Sequence, residues 1–214
     1  ANNSDLTIDS KLKLPITGGT FDPTPKAYVA ENSKITLNTG KTLTSATLTG
    51  LSAFSMDGKF NSSGVAIVPS NTNTVATNKG TIDMSKVSSV GIYTSYGTGI
   101  NDTTGVINMN NTTSTGMYTE EDSITENRGT INMNAASSVG IYGKGNTAST
   151  ASSTLSSNDN VDISNTGTIN LNNANSVGIY VDNNKASATI ADATVNNTGT
   201  INLNSSNDIG IYAP

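Results

Sequence analysis

The chain of 214 residues contains no cysteine, no histidine and no tryptophan. Without thiols there is no disulfide framework. Without thiolate or imidazole there is no zinc site built from those ligands. Nucleophilic catalysis by a Ser-His or Cys-His pair is excluded for the same reason. No cofactor and no metal is expected, and catalysis is not expected. Charged residues make up 13% and the net charge is -5. The few lysines are scattered, so the positive field that nonspecific nucleic-acid binding needs is missing. No run of apolar residues is long enough to cross a bilayer, and no leader peptide is visible, so no membrane contact by this segment is expected. The full-strength repeat that ends in Ile211-Tyr212 makes the C-terminus read as the boundary of an excised fragment. The lack of cysteine suits a chain that crosses a periplasm unfolded.

What the chain has instead is repetition. A first half-motif runs Asn78-Lys79-Gly80-Thr81-Ile82-Asp83-Met84 and returns, degenerate, at 102–109. It recurs at 127–133, 165–171 and 197–203. Each copy is answered by a second half: Val90-Gly91-Ile92-Tyr93, then 115–118, 139–142, 177–180 and 209–212. The first-half glycines are Gly80, Gly105, Gly129, Gly167 and Gly199; those of the second half are Gly91, Gly116, Gly140, Gly178 and Gly210. Within each pair the separation is 11 residues, while successive pairs lie 25, 24, 38 and 32 residues apart. One stretch is fixed to the residue and another accepts insertions. Stacked rungs behave this way, because strands must keep register while loops can lengthen into solvent.

The shortest repeats hold three strands of roughly 4–6 residues joined by tight turns. Helical repeats are not expected, since no stretch keeps a 3.6-residue period. In the first strand Ile131 and Met133 share one side, and Asn132 and Asn134 the other. This alternation predicts one buried and one wet face. Two axial stacks are expected: Ile82, Ile107, Ile131, Ile169 and Ile201, and Ile92, Met117, Ile141, Ile179 and Ile211. Val90, Val139, Val177 and Ile209 are expected to point inward as well. The glycine after each is expected at a bulge or a close backbone approach. A fainter third strand lies near Val75, Ile100, Ile124, 161–163 and Val195. The corner that follows it, Asn-x-Gly, is expected to use positive φ.

The reading is therefore an all-β parallel β-solenoid with about three strands per rung. Residues 1–77 lack the motif but alternate like strands, and are expected to be degenerate rungs or an N-terminal cap. Residues 78–214 are the regular repeats, with loop insertions near 143–161 and 181–195. Deletion within Gly143–Ser157 is expected to spare the fold.

Single features weigh little against this frame. Tyr93, Tyr118, Tyr142, Tyr180 and Tyr212 occupy one repeated position and predict an aromatic ladder about one strand spacing apart. That ladder either seals the core edge or offers a candidate contact surface for protein or glycan. The acidic run Glu120-Glu121-Asp122 with Glu126 reads as a solvated loop; paired carboxylates could do glycoside chemistry. Asp159–Asp162 lacks a calcium-loop pattern.

The unit carried by Asn127, Gly129, Thr130, Ile131 and Asn132, then Ser138, Gly140, Ile141 and Tyr142, resembles the passenger repeats of large fusobacterial-type (type V) autotransporter adhesins. The resemblance implies a right-handed parallel β-helix, displayed extracellularly on the bacterial outer membrane by a C-terminal β-barrel translocator. It also implies a role in attachment to other bacteria or host cells, with a surface protein or glycan as partner. A non-binding stalk that projects a distal adhesive domain is the alternative. A polysaccharide-active β-helix enzyme is the third reading, and it needs clustered acidic or basic groups on one exposed face.

Overall fold

The computed structural model describes residues 5–8, 12–14, 28–29, 34–45, 50, 52–57, 74–120, 123–145, 161–182 and 193–214. Their strands follow one another as seven rungs of three. The first rung is β1 (Asp5–Ile8), β2 (Leu12–Leu14) and β3 (Tyr28–Val29); the second is β4 (Lys34–Leu37), β5 (Thr42–Ser45) and β6 (Ser52–Asp57). The third is β7 (Val75–Asn78), β8 (Thr81–Met84) and β9 (Val90–Ser95); the fourth is β10 (Thr98–Asn101), β11 (Val106–Met109) and β12 (Thr115–Glu120). Next come β13 (Ser123–Asn127), β14 (Thr130–Met133) and β15 (Val139–Lys144), then β16 (Val161–Asn165), β17 (Thr168–Leu171) and β18 (Val177–Asp182). The last rung is β19 (Ala193–Asn197), β20 (Thr200–Leu203) and β21 (Ile209–Tyr212).

Every third strand joins the same sheet. Sheet 1 runs β1-β4-β7-β10-β13-β16-β19, sheet 2 runs β2-β5-β8-β11-β14-β17-β20, and sheet 3 runs β3-β6-β9-β12-β15-β18-β21. Neighbours pair in parallel, so one rung leads into the next with the same handedness that parallel crossovers require. The chain is a right-handed parallel β-helix with three strands per rung, as the fixed 11-residue spacing predicts. Residues 5–57 contribute two strands to each sheet. Strand-like stretches at 46–48 and 65–68 lie outside the described residues.

The core is a set of columns one residue wide. Sheet 2 supplies Ile82, Ile107, Ile131 and Ile169, followed by Met84, Met109, Met133 and Leu171, all without solvent exposure. Sheet 3 supplies Phe54, Ile92, Met117, Ile141 and Ile179. In the last rung Ile201 is partly buried and Ile211 is exposed, because β20 and β21 have a neighbour on one side only.

Three expectations need correction. Val90, Val139 and Val177 are half-buried and face outward, while Gly91, Gly140 and Gly178 are buried. The strand bends at each glycine: at Gly140 an added Cβ would lie 2.6 Å from the Gly178 carbonyl oxygen and 2.8 Å from Ile169 Cγ2. The close backbone approach is present, and the valines before it are turned outward. Second, the repeat corners at Asn78–Gly80, Asn127–Gly129, Asn165–Gly167 and Asn197–Gly199 do not use positive φ, whereas Gly40, in the Asn38-Thr39-Gly40 corner of the second rung, does, at 76°. In the repeats that conformation sits one corner later, at Ser88, Thr113, Ser137, Asn175 and Asn207. The corner glycines are needed for space; a Cβ on Gly129 would overlap the Gly105 and Asp102 carbonyl oxygens. The fainter third strand is present as sheet 1, which is lined inside by Ala76, Gly99, Thr125 and Ile163, while Val75, Ile100 and Ile124 face outward. Third, the ends of both insertions belong to strands: Gly143 and Lys144 to β15, Val161 to β16, Val181 and Asp182 to β18, and residues 193–195 to β19. Residues 146–160 and 183–192 lie outside the described residues.

Candidate functional site

Parallel in-register strands place identical side chains on top of one another. The tyrosine column is the clearest case. Tyr118 pairs with Tyr93 and Tyr142, Tyr142 with Tyr180, and Tyr180 with Tyr212. Ring centroids are 5.3, 4.9 and 5.0 Å apart, with interplanar angles of 15°, 6° and 7°, up to Tyr180. Tyr212 tilts by 36° at 5.4 Å. The first four rings are half-buried on the outside of sheet 3. Tyr118, Tyr142 and Tyr180 each have a ring on either face, so edges and hydroxyls are what they present. A pyranose face cannot stack on a ring that already has a ring on either side.

The hydroxyls of Tyr93, Tyr118 and Tyr142 are spoken for as well. Ser95, Glu120, Lys144 and Asp182 form a second register column two residues beyond the tyrosines. Tyr93 and Tyr118 both donate to the Glu120 carboxylate, the second at 3.1 Å. Tyr142 donates to Asp182 at 3.2 Å, and Lys144 Nζ lies 3.5 Å from Glu120. Burial, then the Glu120 charge and its hydrogen bond, hold the Tyr118 phenol well above its ordinary pKa. Burial, then Asp182, pushes Tyr142 up to about 12. Both phenols stay protonated as donors at neutral pH, which suits anchoring and not base chemistry.

The acidic run does not behave as a loop throughout. Glu120 ends β12 and anchors the tyrosines, and Glu126 sits in β13 in an ion pair with Arg128. Glu121, Asp122, Asp159 and Asn160 lie outside the described residues. Asp162 is exposed in β16. Among the described residues no group of three or more acidic side chains could hold a metal ion. No helix there is long and apolar enough to cross a membrane, which leaves β-barrels unaddressed. The anchoring roles of Glu120 and Asp182 were missed from sequence. The signal was a charged residue two places after Tyr118, Tyr142 and Tyr180.

Two kinds of asparagine ladder complete the surface and the corner. Inside, Asn78, Asn101, Asn127 and Asn165 are fully buried, and each amide donates to the next at 2.7–2.8 Å, ending on Asn197. Each of the first three also reaches a backbone carbonyl of the following corner, at Val106, Thr130 or Thr168. Outside sheet 2, Asn108, Asn132, Asn170 and Asn202 form one ladder, and Asn110, Asn134, Asn172 and Asn204 another, at 2.8–2.9 Å.

No curated protein and no solved structure matches the chain. The family described as the BigA third pectate lyase-like domain matches residues 1–213, which include all the described strands. The chain belongs to the family of the BigA third pectate lyase-like domain.

Proposed function

We propose that this chain is a length of stiff rod in the passenger of a large autotransporter-type adhesin, displayed outside the bacterial outer membrane. In this role it holds more distal binding sites away from the cell. The observation that carries the reading is the tyrosine column: its ring faces are used on one another and its mapped hydroxyls on Glu120 and Asp182. A contact site needs unsatisfied groups, and this column has few. The parent protein would carry the receptor contacts, to a bacterial or host surface protein or glycan, and a C-terminal β-barrel would carry it across the membrane. A glycan-array and cell-binding screen of this chain beside the whole surface protein tests the proposal. Binding by the whole protein alone is expected. Binding by this chain at comparable strength sinks the rod reading.

A second reading keeps attachment on this segment. Val90, Thr115, Val139 and Val177 run as a half-buried, mostly apolar column beside the tyrosine edges, and aromatic-aliphatic stripes are where binding energy concentrates. Replacing Tyr118 and Tyr142 together by serine should then reduce cell attachment while surface display stays intact.

We infer no catalysis on this segment. Among the described residues of sheet 3, Glu120 lies with Lys144 and Asp182, and both carboxylates already accept tyrosine hydrogen bonds. Depolymerisation of an anionic polysaccharide by the purified chain, lost on Glu120→Gln, would overturn that inference.

A further inference from the structure

The inner and outer asparagine ladders differ in one respect. In the buried ladder Asn78, Asn101 and Asn127 use both amide hydrogens, one on the next asparagine and one on a backbone carbonyl. In the outer ladders Asn132, Asn170, Asn134 and Asn172 use one amide hydrogen each, on the asparagine one rung before. An amide has two donors and an oxygen with two acceptor sites. The outer ladders therefore leave a donor and an acceptor site per residue facing solvent, at the rung repeat of about 4.8 Å.

This side of sheet 2 is nearly free of charge. From β8 to β20 its outward positions are Thr, Asn and one Val, with Asp83 the single charged group. The surface neither repels nor attracts a partner by net charge, although the chain as a whole carries -5. What it offers is a periodic lattice that both donates and accepts. A partner must present both functions on the same spacing to engage more than one rung. Another β-solenoid has that spacing by construction, and a second copy also has the same amides and hydroxyls.

We propose that the Asn-Thr side of sheet 2 is a self-association surface that pairs with the same surface of a second copy. The five rungs from β8 to β20 offer a patch roughly 15 Å by 24 Å, from strand rise and spacing. That is on the order of 350 Å² per copy, below the ~800 Å² per partner of a stable complex. Two isolated chains should thus associate weakly, and dense arrays of parallel rods should associate by multivalency. The surface is independent of any receptor, so a failure of the rod reading leaves this proposal intact.

Beads coated densely with the full chain test it, in buffer containing a chelator. Wild-type beads should clump. Asn134→Lys/Asn172→Lys beads should clump about tenfold more slowly or not at all, because like charges meet across the contact. Asn134→Asp/Asn172→Asp beads should behave the same alone. Mixing the Lys beads with the Asp beads should restore clumping. Thr194→Lys/Asn196→Lys, on the exposed side of sheet 1, should leave clumping unchanged. Thr130→Lys/Thr168→Lys, in the neighbouring column, replaces the asparagine pair if circular dichroism shows loss of strand signal. Wild-type beads that stay dispersed, a mixed pair that stays dispersed, or equal loss from the sheet 1 control would overturn the proposal.

Discussion

The glycine of the Val-Gly-Ile-Tyr motif offers a comparison that the repeat itself controls. Gly140 and Gly210 share a motif and a strand position, but Gly140 has a rung stacked on it and Gly210 does not. An added Cβ at Gly140 would sit 2.6 Å from the Gly178 carbonyl oxygen and 2.8 Å from Ile169 Cγ2. That is up to about an ångström inside ordinary contact. Neither obstacle can yield cheaply. Val177 N–H donates to the Ser138 oxygen at 2.9 Å beside the clash, and Ile169 has no exposure. Forcing a methyl into such a place costs roughly 1–3 kcal/mol. At Gly210 nothing lies within 4 Å of the added carbon. There Gly→Ala should be neutral or stabilising by up to about 1 kcal/mol, through the reduced freedom of the unfolded chain. The unfolded-state gain is nearly common to both variants, so their difference isolates the stacking clash. Urea midpoints followed by far-UV circular dichroism should place Gly140→Ala well below wild type and Gly210→Ala at or above it. In thermal melts the gap should be about 2–4 °C per kcal/mol for a chain of this size. Hydrogen exchange at the Val139 and Val177 amides should accelerate in the Gly140 variant alone. Equal midpoints for the two variants would refute the argument that the glycine ladder exists for backbone clearance.

Other expectations follow from the columns. Asn127→Leu should lose about 2–4 kcal/mol, because Asn101 and Asn165 and the Thr168 carbonyl lose a buried partner, each such loss costing about 1–3 kcal/mol before relaxation; denaturant titration reads it. Asn127→Asp should be destabilising at neutral pH and recover on acidification. Burial and the facing acceptors raise its folded pKa above the unfolded value of about 3.9, so the deficit shrinks as pH falls through the folded pKa. The raised Tyr142 pKa predicts stability that is full below about pH 10, the unfolded tyrosine value, and declines as pH climbs toward about 12; Asp182→Asn should lower the phenolate absorbance midpoint of Tyr142, and an unchanged midpoint would remove Asp182 as a cause. Thr113→Asn should stabilise by roughly 1 kcal/mol, since a β-branched residue holds φ at 56° there and asparagine tolerates that region better; a lower melting temperature would count against it.

The sequence legible as repeats was legible as structure, because translation by one rung maps like onto like. Ile131 and Tyr142 fell into their columns from spacing alone. The errors cluster where one rung departs from the others or where backbone contact outweighs side-chain pattern. Val90 looked inward because alternation was counted through Gly91, but the bend there turns two successive positions into the core and Val90 outward. The degenerate copy counted from 102 starts one residue late: Asn101 takes the column of Asn78, and the corner beyond it is longer. Buried amide pairing fixed the register, and the motif glycine followed two residues later than usual. Sheet 1 was faint because its interior column mixes Ala76, Gly99, Thr125 and Ile163, which have no common hydropathy. Position in that column is set by the strands on either side of it and not by its own residues.

The same translation explains how a chain with 34% hydrophobic residues closes a core at all. In a globular domain a buried asparagine needs a partner of different shape at a different point in the sequence. Here its partner is itself, one rung away, with donor and acceptor already at the right height. Asn78, Asn101, Asn127 and Asn165 are buried without the usual penalty because each meets the next at 2.7–2.8 Å. Tyrosine follows the same rule, with ring on ring in place of amide on amide. Insertions between rungs leave this untouched, since Asn127 and Asn165 are 38 residues apart and bond at 2.7 Å, as tightly as pairs 23 residues apart. The order of the β-helix therefore rests on which residue occupies each column. A charge placed in a buried column should harm it more than a dozen residues added between rungs.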